Sequence, residues 1–127
     1  MPITCTNPVV DARSVVVVLS VQDGDTFRIR LGEKDSIGVR ILGGDVFESR
    51  RGERLNSQAA RAGISAERAL ERGKVAKQFA QRLLVGTVEI SRESGEPNID
   101  IFGRLLRVCA VGGKEYFSLL PDSLKVK

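Results

Sequence analysis

Four carboxylates and one arginine fall in a pattern suited to phosphate chemistry. Asp23 and Asp25 immediately precede an alternating run, Thr26 to Leu31, and Asp45 and Glu48 follow a second, Ile37 to Leu42. Arg40 lies inside the second run, among apolar neighbours. If the two runs pair as antiparallel strands across the turn-rich stretch Gly32 to Ser36, the start of one meets the end of the other. The four acids then gather at one edge beside a fixed cation, as in a metal-assisted phosphate site. Singly, each piece has a plainer reading. Asp-Gly-Asp-Thr is a common turn sequence, and an arginine on a strand often lays its stem over apolar neighbours at the surface. It is the order and spacing that point to chemistry.

Composition narrows that chemistry. The chain has no histidine, which removes Ser-His-Asp and Cys-His triads, histidine-based nucleases and almost every zinc site. Two cysteines, Cys5 and Cys109, cannot make a four-thiolate zinc site. Cys109, in Val-Cys-Ala-Val, reads as a small buried hydrophobe, and nothing in the sequence favours a disulfide between the two. A net charge of +4 and a pI near 9.4 give a mild bias towards anionic partners. The N-terminus lacks a basic leader, and Val15–Leu19 is too short for a signal core or a membrane span. A cytoplasmic protein with no membrane partner is the default expectation; a secreted or periplasmic one whose leader had been removed would read the same.

The elements that must position these residues can be taken in order. Residues 1–13 carry Pro2 and Pro8 and read as an N-terminal arm. Residues 14–22 are rich in valine and predict a strand, covered on both faces because the apolar run is nearly continuous. After Asp23-Gly24, Phe27, Ile29 and Leu31 alternate with Arg28 and Arg30, and Gly43-Gly44 closes the third strand. Residues 47–63 read as a mobile loop and then a short helical turn near Ser57 to Ala62. Ser65 caps a long helix to about Leu84, with Glu67 in its first turn. Its packed stripe is Ala66, Leu70, Gly73, Ala76, Ala80 and Leu83, while Arg68, Arg72, Lys74, Lys77 and Arg82 read as solvated surface. Strands follow at Thr87–Ser91 and Leu105–Val111, with a final helical turn or edge strand and a loose tail over 121–127. The fold class expected is mainly β with α, one domain over 14–120: a five-stranded Greek-key barrel of the OB type with a long helix inserted after strand three.

On these residues the sequence resembles the staphylococcal nuclease-like (thermonuclease) family. The matching motifs are Asp23-Gly-Asp-Thr-Phe, Val39-Arg40-Ile-Leu-Gly-Gly-Asp45-Val-Phe-Glu48 and Asp100-Ile-Phe-Gly-Arg104. The family also has a helix between the second and third, and the resemblance spans about Val15 to Leu120. It implies a Ca²⁺-dependent nuclease acting on DNA, RNA or both. By that resemblance Asp25, Asp45 and the backbone carbonyl of Val46 would ligate Ca²⁺, and Asp23 would hold the metal's water shell. Glu48 would orient or deprotonate the attacking water, Arg40 and Arg104 would bind the scissile phosphate, and Asp100 would join them in binding substrate. Elementary chemistry is consistent with those roles. A phosphodiester under attack gains charge that bidentate guanidiniums match; oxygen-only ligands select a hard cation; and without histidine a carboxylate is the available base.

The chain departs from the family pattern in three places. Val46-Phe47 replaces Thr-Pro, Ile101-Phe102 replaces Lys-Tyr, and the chain ends soon after Leu120 with Tyr116 as its one tyrosine. Weaker base stacking is therefore expected, with a homo-oligomer or the N-terminal arm completing core coverage. Single-stranded DNA or RNA is the expected substrate. The alternative is an OB-type nucleic-acid- or protein-binding module, catalytically weak or inactive.

Overall fold

The computed structural model describes residues 13–126; Cys5 and all of the expected arm except Arg13 lie outside them. The chain forms β1 (Ser14–Asp23), β2 (Thr26–Leu31), β3 (Asp35–Ile41), α1 (Glu53–Ala62), α2 (Ala66–Leu83), β4 (Thr87–Ser91), β5 (Leu105–Val111) and a two-residue β6 (Lys114–Glu115). The turn after β1 folds β2 back on it, with Asp23 opposite Thr26. β2 and β3 pair in unbroken antiparallel register from Thr26↔Arg40 to Leu31↔Asp35. β1 also pairs with β4, and β4 with β5. The parallel pairing of β3 with β5, Val39↔Leu105 to Ile41↔Arg107, closes the ring. The result is a five-stranded mixed barrel of the OB type with both helices inserted between β3 and β4; β6 adds to β5 as a short hairpin.

Alternation decides what enters the barrel. Phe27 and Ile29 on β2, Val39 and Ile41 on β3, and Ile90, Leu105 and Cys109 opposite are buried, while Arg28 and Arg30 face out. β1 departs from expectation. Val16 is buried, but Val15, Val17 and Leu19 are 71%, 40% and 44% exposed. Valine favours the pleated backbone for its branched Cβ whether or not both faces are packed, so a valine run overstates coverage.

The inserted helices also differ from the reading. Where a loop and a short turn were expected, α1 runs for ten residues. Arg, Gln and Ala are good helix formers, and Leu55, Gln58 and Ala59 at i, i+3 and i+4 give it a buried face. Gly63, left-handed at φ 68°, ends it. The Ser65 hydroxyl then caps α2 by accepting from the Arg68 N–H at 3.1 Å. α2 buries Ala69, Gly73, Ala76 and Ala80; Ala66 of the expected stripe is only half-buried, and Ala69 takes the core place instead. Residues 121–126 are not a loose tail; Lys127 lies outside the described residues. Two 3₁₀ turns, Tyr116–Leu119 and Asp122–Leu124, bury Leu120 and Leu124, and the Val126 N–H donates to the Asp45 carbonyl at 2.9 Å. Val126 thus ties down the segment that carries Asp45.

Candidate functional site

The turn between β1 and β2 is held from below. The buried Tyr116 hydroxyl donates to the Gly24 carbonyl, and a Cβ at Gly24 would lie 2.8 Å from Ala76 Cβ and 2.9 Å from a Val46 methyl. Only glycine lets the turn sit that close to α2. On either side of it, Asp23 accepts from the N–H and hydroxyl of Ser49, while Asp25 is 2% exposed at the start of β2. The Asp25 carbonyl accepts from the Ile41 N–H at 2.9 Å, locking the turn to the end of β3.

That lock brings Arg40 between the aspartates. Its Nη2 lies 3.2 Å from Asp25 Oδ2 and 3.3 Å from Asp45 Oδ1, and the guanidinium also donates to the Ile41 and Gly44 carbonyls. Arg40 is spent on these partners and does not line the open cleft. Asp25 accepts from the Thr26 hydroxyl through Oδ1, but its buried Oδ2 accepts no hydrogen bond. Burial, opposed by Arg40 and reinforced by the charges of Asp45 and Glu48, pushes the Asp25 carboxyl up to about 6. Glu48 is also raised, by burial and then by Asp23.

The opposite wall of the site comes from the loop before β5. Asp100 accepts from the Phe102 and Arg104 N–H groups, each at 2.9 Å, and from Arg104 Nε at 2.7 Å. Burial alone would raise its pKa, but these hydrogen bonds from Arg104 and Phe102 outweigh it and hold the carboxyl below its ordinary value. Asp100 therefore fixes Arg104 and is not itself free for a substrate. The Arg104 stem crosses β3 at Gly38, where a Cβ would stand 3.1 Å from Arg104 Cγ. Its Nη1 reaches the Thr26 hydroxyl at 3.4 Å, one residue from Asp25. A cleft of about 500 Å³ opens here. Asp23, Asp25 and Glu48 supply its acids, and Arg28, Arg50, Arg54 and Arg104 its cations, with Phe102 on its lining.

Three residues on α1 had not been singled out from the sequence. Arg54 contacts Asp45 at 3.1 Å and Glu48 at 3.3 Å, and Arg61 contacts Asp45 at 3.5 Å. Gln58, 1% exposed, donates to Asp45 Oδ2 at 3.2 Å and the Val46 carbonyl at 2.8 Å, and accepts from the Glu48 N–H at 2.9 Å. The spacing 54, 58, 61 is i, i+4, i+7, one helix face, and that signal was present in the sequence once the segment was read as a helix.

A Ca²⁺ ion is implied by the family resemblance, and the donors present suit it. The Asp25 carboxylate, whose Oδ2 accepts no hydrogen bond though it pairs with Arg40, the Asp45 carboxylate and the Val46 carbonyl are hard oxygen donors of the kind Ca²⁺ takes. Among the described residues no three acidic or cysteine side chains are grouped closely enough to hold a metal ion by themselves, and Asp45 would exchange guanidinium contacts for the ion. Among those residues, too, no helix is long and apolar enough to cross a membrane. Comparison of the chain with protein-family models and with curated proteins returns no match.

Proposed function

We propose that this chain is a Ca²⁺-dependent nuclease of the staphylococcal nuclease-like kind, hydrolysing phosphodiester bonds of single-stranded DNA or RNA. One observation carries the reading: Arg104 lines the same cleft as Asp23, Asp25 and Glu48 although it lies 79 positions along the chain from Asp25. A fixed guanidinium across a small cleft from a carboxylate base suits a group that is anionic and attacked by water.

In that reading Arg104, braced by Asp100, takes two phosphate oxygens and balances the charge that grows as water adds to phosphorus. Glu48 accepts the proton of that water; its raised pKa brings it nearer to working pH than an ordinary glutamate. The P–O ester bond breaks, and the leaving oxygen takes a proton from the solvent-filled cleft. Asp25, Asp45 and the Val46 carbonyl would hold Ca²⁺, which supplies charge neutralisation and a site for the water. Arg40 keeps the two aspartates together.

The second reading is a binding module. It is favoured by Arg54 and Arg61, which already neutralise Asp45 and Glu48. Incubating the protein with denatured DNA and Ca²⁺, with and without EGTA, separates the two. Degradation that EGTA abolishes and Glu48→Ala lowers by about 10² or more supports the nuclease. Binding without degradation supports the module.

A further inference from the structure

A second depression of about 600 Å³ lies beside the cleft, lined by Ser49, Arg50, Lys74, Lys77, Gln78 and Gln81. Arg50 lines both, so the two are contiguous. Ser49 is fixed from the cleft side, because its N–H and hydroxyl both donate to Asp23. The four α2 residues fall at i, i+3, i+4 and i+7 and so share one face of the helix. A helix face kept wet for solubility alone commonly mixes charge signs. This lining holds three cations, three neutral hydrogen-bonding side chains and no carboxylate, the helix acids Glu67 and Glu71 lying in its first two turns outside the groove. Cations with amides and a hydroxyl are the contacts that a nucleic-acid backbone makes irrespective of base sequence.

We propose that this groove holds a phosphodiester flanking the one in the cleft, so that the preferred substrate is a single-stranded polymer spanning both and not a mono- or dinucleotide. The proposal rests on the nuclease reading for the cleft, and adds a subsite with its own residues. A strand leaving the cleft past Arg50 meets Lys74 and Lys77 next, and each lysine releases counterions from the backbone it neutralises.

Fluorescence anisotropy tests it, with labelled thymidine dinucleotide (one phosphodiester) and dodecamer, in Ca²⁺, on Glu48→Gln protein to keep the probes intact. Adding Lys74→Gln and Lys77→Gln, both on a solvated helix surface, should weaken the dodecamer about tenfold. It should also lower the slope of log affinity against log salt by about 1.4, two contacts at about 0.7 each, and leave the dinucleotide within about twofold. Unchanged dodecamer affinity overturns the proposal. So does equal weakening of the dinucleotide, which would mark a diffuse positive field and not a subsite. Protein with native Glu48 that binds and cleaves the dodecamer, while the lysine pair makes no difference, removes the groove and spares the nuclease reading. If that protein neither binds nor cleaves, both fall.

Discussion

Gly73→Ala isolates the packing that presents Glu48. Gly73 is buried on α2 against the segment that carries the glutamate, and a Cβ there would stand 1.9 Å from the Glu48 carbonyl oxygen, 2.5 Å from its carbon and 2.9 Å from the Phe47 carbonyl oxygen. Cβ atoms essentially never approach a heavy atom closer than 3.0 Å, so helix and segment must separate by at least 1.1 Å at that point. Both partners are backbone, and no side chain can rotate away. In an open helix the substitution would stabilise by about 1 kcal/mol through propensity. Here overpacking costs about 1–3 kcal/mol, so the net is a loss of about 0–2 kcal/mol and a fold that survives. The carboxylate of Glu48 moves with its backbone, and displacement of about 1 Å at a catalytic group costs about 10² in rate. Urea denaturation followed by circular dichroism should record the small stability loss, and hydrolysis of denatured DNA the large rate loss. A variant more stable than the parent and fully active would refute the contact between α2 and the Phe47–Glu48 backbone.

Three further substitutions address the other parts of the site. Asp100→Asn keeps the shape but removes the charge that binds Arg104 Nε at 2.7 Å; hydrolysis should fall by about tenfold or more, and an unchanged rate would mean Arg104 needs no brace. Asp25 titrates at about 6 in the fold against an ordinary 3.8. The folded chain therefore holds a proton that the unfolded chain releases first, so Ca²⁺-free stability should fall as pH rises from about 4 to about 6, by about 3 kcal/mol at most. Asp25→Asn should flatten that fall in urea midpoints taken across the range; the same slope in the variant would place the titration elsewhere. Phe102 is 75% exposed on the cleft lining with Arg104 stacked 5.2 Å from its ring centre. Phe102→Ala should weaken oligonucleotide binding by about 1–3 kcal/mol if a base stacks there, and equal affinity for the two proteins would exclude that platform.

What the sequence disclosed and what it hid divide along a physical line. The strands of the barrel were legible because alternation in Thr26–Leu31 and the β-branched and apolar runs around Val39, Val88 and Leu105 are local signals, each set by which face meets the core. The meeting of Asp25 with Arg40 followed from one further step, the antiparallel register that sets Thr26 opposite Arg40. The course of residues 47–63 did not follow. Its arginines and small residues satisfy a solvated loop and a helix equally well, and the choice is made by tertiary burial of Leu55 and Ala59 with Phe47 and Ala69, and of Gln58 against residues 45–48. Missing that helix hid Arg54, Gln58 and Arg61, and with them the fact that Asp45 is ringed by donors.

The ring has a mechanistic consequence of its own. A carboxylate that binds Arg40, Arg54, Gln58 and Arg61 at once can take a divalent ion only by giving up some of those contacts, whereas Asp25 Oδ2 has only the Arg40 ion pair and accepts no hydrogen bond. The arginine most readily displaced is the one held least. Arg54 and Arg61 sit on α1 with more than half of each side chain exposed, while Arg40 is 17% exposed and also bound to two backbone carbonyls. Release of Arg54 would free Glu48 in the same step, since one guanidinium neutralises both acids. Under the proposed function, loading the ion and freeing the base would be a single event on the α1 face. Under the proposed function, Arg54, a residue for which the family resemblance assigned no part, would compete with Ca²⁺ for the acids it bridges.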